Sequence, residues 1–122
     1  MANVKESLEK VMQIDGAVGT CVVDSSSGMM LGSVGGGPHL NVEVAAAGNT
    51  EVVRAKRKTM RSLNLNDSIE DILITLGKQY HIIRLCASND ALFMYLVLDK
   101  QRSNLAMARI QLGEIEKQMQ IA

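Results

Sequence analysis

The sequence has no tryptophan, one phenylalanine, two tyrosines, one proline and two cysteines, and its thirteen basic residues balance thirteen acidic ones. Each shortage excludes something. Without net charge, no long-range field draws the whole molecule to a polyanion or a membrane surface, so any electrostatic function must be local. Tyr80, Phe93 and Tyr95 are the only aromatics; so few rings for stacking on bases argue against nucleic acid as a ligand. Cys21 and Cys86 sit inside apolar runs with no metal or redox spacing, which leads us to expect buried thiols in a reducing compartment. The longest uncharged apolar stretch, "ALFMYLVL" at 91–98, is far too short to span a bilayer. The N-terminal "MANVKESLEK" lacks the apolar core of a signal peptide. A cytoplasmic protein with no membrane span is expected.

What is present is the composition of a folded chain: 47% hydrophobic and 21% charged over 122 residues, enough for one core and one domain over 1–122. Val4, Leu8, Val11 and Met12 fall at helical spacing within 3–14, after Asn3 as an N-cap, and Gly16 can close that helix. "AVGTCVVD" (17–24) reads as a buried strand, "SSSG" as a turn and "MMLGSV" as the hairpin partner. "GGGPHL" (35–40) reads as a flexible linker; it lacks the Lys-Ser/Thr that would complete a phosphate-binding loop. From 41 to 63, Val44, Gly48, Val52, Ala55, Thr59 and Leu63 recur three or four apart, which predicts a long helix with that stripe toward the core. Gly48 weakens the helix locally and leaves room for a close backbone approach.

Three β-rich runs follow, at 68–77, 79–86 and 91–99, joined by connections short enough for an antiparallel meander. The first alternates Asp71, Leu73 and Thr75 with Ile72, Ile74 and Leu76. The third is apolar on both faces, as a central strand covered on both sides would be. Leu105, Ala108, Leu112, Ile115 and Met119 then mark a C-terminal amphipathic helix, with Glu114, Glu116 and Lys117 off its stripe. The order α-β-β-α-β-β-β-α implies an α+β fold, a five-stranded antiparallel sheet sandwiched by helices.

Catalytic and metal chemistry find little support. His39 lies in the glycine loop and His81 in a strand, neither with a partner suggested by spacing, and Glu70 and Asp71 are strand neighbours that point to opposite faces. No metal-ligand cluster is visible, so no cofactor, no metal and no enzymatic activity are expected. Met29, Met30, Met60, Met94 and Met107 suit core filling or an adaptable contact surface.

The opening helix, the hairpin "GAVGTCVVDSSSGMMLGS", the helix over 41–63, the strands "SIEDILITLGKQYHIIRL" and "ALFMYLVLDK" and the last helix together resemble the Roadblock family of dynein-light-chain type, small α+β dimers. The most characteristic local part is the hairpin with Gly16, Gly19, Asp24 and Gly28; profilin-like and longin-like sheets share parts of the architecture. The family's bacterial relatives include partners of Ras-like GTPases. The resemblance implies a homodimer in which the third strand (Ile72, Leu73, Ile74, Thr75, Leu76) and the second helix (Val53, Met60) pair with their copies. It also implies that the paired helices form the surface offered to a GTPase. The residues agree: an apolar strand left as a free edge invites aggregation, and pairing with a copy removes that edge.

The second helix carries five basic side chains, Arg54, Lys56, Arg57, Lys58 and Arg61. At about 100° per residue, Arg54, Arg57, Lys58 and Arg61 share the face opposite the apolar stripe, with Lys56 at its margin. A solvated face and a protein-docking ridge both fit this cluster, whereas nucleic-acid binding would need aromatic or base-reading partners that are missing. The expected function is a non-enzymatic homodimeric regulator that binds a small Ras-like GTPase and modulates its nucleotide cycle or localisation. The alternative is a structural adaptor of a larger complex without nucleotide sensitivity.

Overall fold

A computed structural model describes residues 3–38 and 40–120. The elements in chain order are α1 (Val4–Val11), β1 (Ala17–Asp24), β2 (Met29–Gly35), α2 (Val42–Ser62), β3 (Asp71–Thr75), β4 (Gln79–Leu85), β5 (Leu92–Asp99) and α3 (Leu105–Gln118). Each helix starts at an asparagine outside helical geometry whose side chain accepts from a backbone N–H of the first turn. Asn3 takes Glu6 N, Asn41 takes Glu43 N and Val44 N, and Asn104 takes Met107 N. Such caps contribute about 1 kcal/mol each.

The five strands form one sheet in the order β2-β1-β5-β4-β3, with every neighbouring pair antiparallel. β5 lies at the centre, and its residues Leu92 to Leu98 are all buried. Alternation divides the core into two. Val22, Ile82, Met94, Leu96 and Leu98 pack with Leu8 and Val11 of α1 and with Ala108 and Leu112 of α3. Cys21, Val23, Ile83, Leu85, Phe93, Tyr95 and Val97 pack with Ala46 and Val53 of α2 on the other face. Burying each large apolar side chain contributes roughly 1.5–3 kcal/mol, so the sheet is held by apolar layers on both sides. β3 is an edge strand, and no strand borders its outer side among the described residues.

Several boundaries differ from expectation. The first helix is shorter than 3–14, and the strand expected over 68–77 has ladder geometry only at Asp71–Thr75, although the Glu70 carbonyl still accepts from Leu85 N. The glycine stretch is not a loose linker. Gly35 ends β2, Gly36 N donates to the Val18 carbonyl, and Gly37 and Leu40 bridge each other. Gly35 has φ +77°, and a Cβ there would lie 2.6 Å from the Val18 oxygen. Only a residue without a side chain lets the strand turn at that distance from β1. Gly35→Ala is therefore expected to lower unfolding free energy by more than about 1 kcal/mol in urea titration. Gly77→Ala, where a Cβ meets open space, should stay within about 0.5 kcal/mol of the parent.

Candidate functional site

α2 buries a face different from the one its periodicity suggests. Ala46, Thr50 and Val53 are the buried residues, while Val44 is 68% exposed, Val52 37% and Leu63 61%. Gly48, Ala55 and Thr59 are exposed as well, and Gly48 has open space where a Cβ would be. The expected core stripe is thus the outer one. The buried face is narrow and small, and Thr50 can join it because its hydroxyl donates back to the Ala46 carbonyl at 2.7 Å, leaving no unpaired polar group. Val53 belongs to the chain's own core at 0% exposure, so as it stands it offers no contact to a second copy. Met60 is half-buried.

The basic residues divide into two kinds. Arg54 donates to the Ser25 and Ser26 carbonyls in the β1–β2 turn at 2.8 and 3.1 Å and pairs with Glu51 at 2.9 Å. Arg57 is half-buried and donates to the Asp90 carbonyl in the β4–β5 turn. These two do not stand opposite the core; they fasten α2 to two turns at one end of the sheet. Lys58 and Arg61 are exposed, and they remain as the outward cations of that flank. Arg61 also borders a cavity of about 660 Å³ shared with Arg57, Met60, Arg84, Glu116 and Lys117. Lys56 is exposed on the flank nearer the outward stripe.

On the α2 face, the half of the sheet made by β3 and β4 is only partly covered. Ile72 pairs with Ile83 and Ile74 with His81; Ile72, Ile74 and His81 are all half-buried. Leu73 faces the other way, against the α1 and α3 core, and Thr75 and Leu76 are exposed. Leu76 lies just past β3, in the turn, where its N–H donates to the Gln79 carbonyl. Helix geometry puts the exposed stripe of α2 opposite its buried face, and Lys58 and Arg61 on the flank of Arg54. Ile72 and Ile74 therefore lie half-covered beside the open edge of β3.

His81 has partners that its spacing concealed. Its Nδ1 is 2.9 Å from the Tyr95 hydroxyl and its Nε2 is 2.9 Å from Gln79 Oε1, with the two rings edge to face. Burial holds the His81 pKa below its ordinary value. Burial likewise raises Tyr95 and pushes Cys21 and Cys86 up to about 12, so the thiols are inert neutral core groups. His39 lies outside the described residues.

Two ion pairs tie α3 to the sheet and were not legible from spacing. Arg84 Nε reaches Glu116 Oε1 at 3.0 Å, and Glu116 Oε2 accepts from Ala87 N. Glu116, placed off the apolar stripe by periodicity, is 3% exposed. Arg109 meets both oxygens of Asp71 at 2.9 Å. Met94 is core, whereas Met29 is 70% and Met107 49% exposed. Among the described residues no group of His, Cys, Asp and Glu could hold a metal ion, and no helix is long and apolar enough to cross a membrane.

No family model matches the sequence, and no curated protein matches it. Solved structures do match its backbone. MglB of Myxococcus xanthus superposes with a TM-score of 0.80 at 12% identity, covering 93% of this chain and 88% of that one. The Roadblock/LC7 domain from Streptomyces avermitilis gives 0.79 at 8% identity, over 95% and 93%. The chain has the Roadblock/LC7 fold. A further neighbour, an MglB in a tetrameric arrangement, gives 0.70 at 15% identity, over 93% and 88%. This agrees with the element order and sheet expected from the sequence.

The two kinds of arginine and lysine can be separated by stability. Arg54→Ala should cost about 1 kcal/mol in chemical denaturation, since two backbone carbonyls lose a half-exposed charged donor. Lys58→Ala should change stability by less than about 0.5 kcal/mol.

Proposed function

We propose that this chain is a non-enzymatic regulator, one domain over 1–122, that works in the cytoplasm as a homodimer and docks a small Ras-like GTPase, modulating its nucleotide cycle or localisation. The observation that carries the proposal is that α2 turns an apolar stripe outward while β3 leaves its outer edge open. An exposed stripe of small and aliphatic residues and an unpaired strand are the surfaces that a second copy would bury, α2 against α2 and β3 against β3. Ile72 and Ile74 would be covered in the same contact, with Leu73, Thr75 and Leu76 along the edge. Val53 supports α2 from beneath. The tetrameric arrangement of the MglB neighbour supports self-association of this fold.

The GTPase part rests on the resemblance to the Roadblock family and on the similarity in fold to MglB. Lys58 and Arg61 would form the docking face, doubled by dimerisation, with Arg54 and Arg57 holding the helix that presents them. Charges so placed raise the association rate and fix orientation more than they add affinity.

Light scattering should report a dimer for the parent chain, and Val52→Glu combined with Ala55→Glu should report a monomer of unchanged circular dichroism. Lys58→Glu with Arg61→Glu should keep the dimer and weaken partner capture by about tenfold or more. Capture from the organism's own lysate, run with GDP and with a non-hydrolysable GTP analogue, should yield a Ras-sized protein in one nucleotide condition only. The same partners under both conditions would replace the regulator with an adaptor that is insensitive to nucleotide.

A further inference from the structure

β2 forms the other margin of the sheet, and no strand borders its outer side among the described residues. The direction of its backbone groups follows from one bond. Gly36 N donates to the Val18 carbonyl, and in an antiparallel ladder the bonded pairs recur at every second position. Thr20 with Val34 and Val22 with Gly32 are therefore the pairs that bond β1 to β2. Ser33 and Gly35 alternate with them, so their N–H and carbonyl groups point away from β1. Both residues are exposed.

Edges left open in soluble proteins are ordinarily guarded by charge, by proline or by a bulge. β2 has little of this. No Asp, Glu, Lys or Arg occurs between Asp24 and Glu43, and Met29–Gly35 contains no proline. A bulge lies at one end, where the register shifts between Val22 and Val23, and it leaves Gly32–Gly35 regular. Met29 is 70% and Leu31 46% exposed, so the strand also presents apolar side chains at its unguarded margin.

We propose that β2 is a second self-association edge, on which two copies pair antiparallel about a two-fold axis between their Ser33 residues. In that register each Ser33 donates to and accepts from its counterpart, and Val34 falls opposite Gly32 of the second copy. The fit is self-complementary on the α1 side. Val34 packs toward the α1 core, whereas Gly32 has no side chain, and a Cβ there would come within 3.2 Å of Leu8 and 3.3 Å of Val4. Each valine thus meets a position without a side chain. A groove of about 630 Å³ runs beside the edge between α1 and β2, lined by Val4, Leu8, Leu31 and Val34 with Lys5 and Glu9. Those two charges are opposite in sign, so a contact that brings each patch to its own copy carries no net repulsion.

This contact goes beyond the α2 and β3 pairing proposed above and does not need it. A seven-residue edge is small beside the roughly 1,600 Å² of a standard interface, so it pairs weakly, open at about 10 μM and formed at about 1 mM. Where both edges are engaged, dimers join end to end through one continuing sheet.

Sedimentation of the full chain at about 10 μM and about 1 mM, with amide hydrogen exchange at both concentrations, tests this. At the higher concentration the mass should exceed that of a dimer, and the Ser33 and Gly35 amides should exchange several-fold more slowly than at the lower, with Gly32 and Val34 slow at both. Ser33→Pro removes the outward donor but leaves the β1 bonds of Gly32 and Val34, and Ser33→Lys sets two like charges face to face. Both variants should stop at the dimer with unchanged circular dichroism. Val52→Glu with Ala55→Glu should still pair at the higher concentration and lose that pairing when Ser33→Lys is added, which separates the two surfaces. A parent that stays a dimer with both outward amides fast throughout would overturn β2 pairing, leaving the edge to a strand of another protein. Ser33→Lys assembling like the parent would overturn it as well, and so would Ser33 and Gly35 amides already slow at the lower concentration, since the chain would then cover its own edge. A parent that is monomeric at the lower concentration yet pairs at the higher, sensitive to Ser33→Lys, would overturn the α2 and β3 dimer alone.

Discussion

Leu92 to Leu98 of β5 are buried on both faces of the sheet, and that constraint places everything else. A strand of alternating Phe93, Tyr95, Val97 and Leu92, Met94, Leu96, Leu98 cannot lie at an edge or face water on one side, so it takes the centre and helices must cover both faces. The two core clusters follow from its alternation: α1 and α3 close one side and α2 the other. With β1 and β4 flanking it, the hairpin connections leave β2 and β3 at the margins.

The coverage is unequal, and the inequality creates the candidate surface. Two helices share the first face, reinforced where Arg84–Glu116 and Asp71–Arg109 tie α3 to β4 and β3. A single helix serves the other, packed over β1 and β2 through Ala46, Thr50 and Val53, with Arg54 and Arg57 fixing it to two turns. One helix is too narrow for five strands. Ile72, Ile74 and His81 are left half-buried at the β3 side. The outward stripe and the half-covered isoleucines are therefore consequences of one packing choice.

What sequence reading missed has a common cause. Period alone shows that α2 has an apolar stripe, but its helix also carries a second, smaller set of apolar and near-apolar positions a half-turn away. Valine, alanine and threonine occur in both sets. Arg54 and Arg57 read as solvated cations because the Ser25, Ser26 and Asp90 carbonyls that receive them are 28 to 33 residues distant. Glu116 reads as a surface residue for the same reason, since its partner Arg84 is 32 residues away. His81 lacked a partner within local reach other than Gln79, and Tyr95 is 14 residues on.

The sequence by itself determined the elements, their order, the Asn3 cap, the two-sided burial of β5 and hence the five-stranded antiparallel sandwich. These are local or periodic properties, written in residues within a turn or a strand of each other. Only the tertiary structure decided which face of α2 meets the sheet, which cations are fasteners, and which polar groups find each other inside. Those outcomes depend on how whole elements fit, and a helix with two usable faces has no way to record along its own length which one the sheet will take.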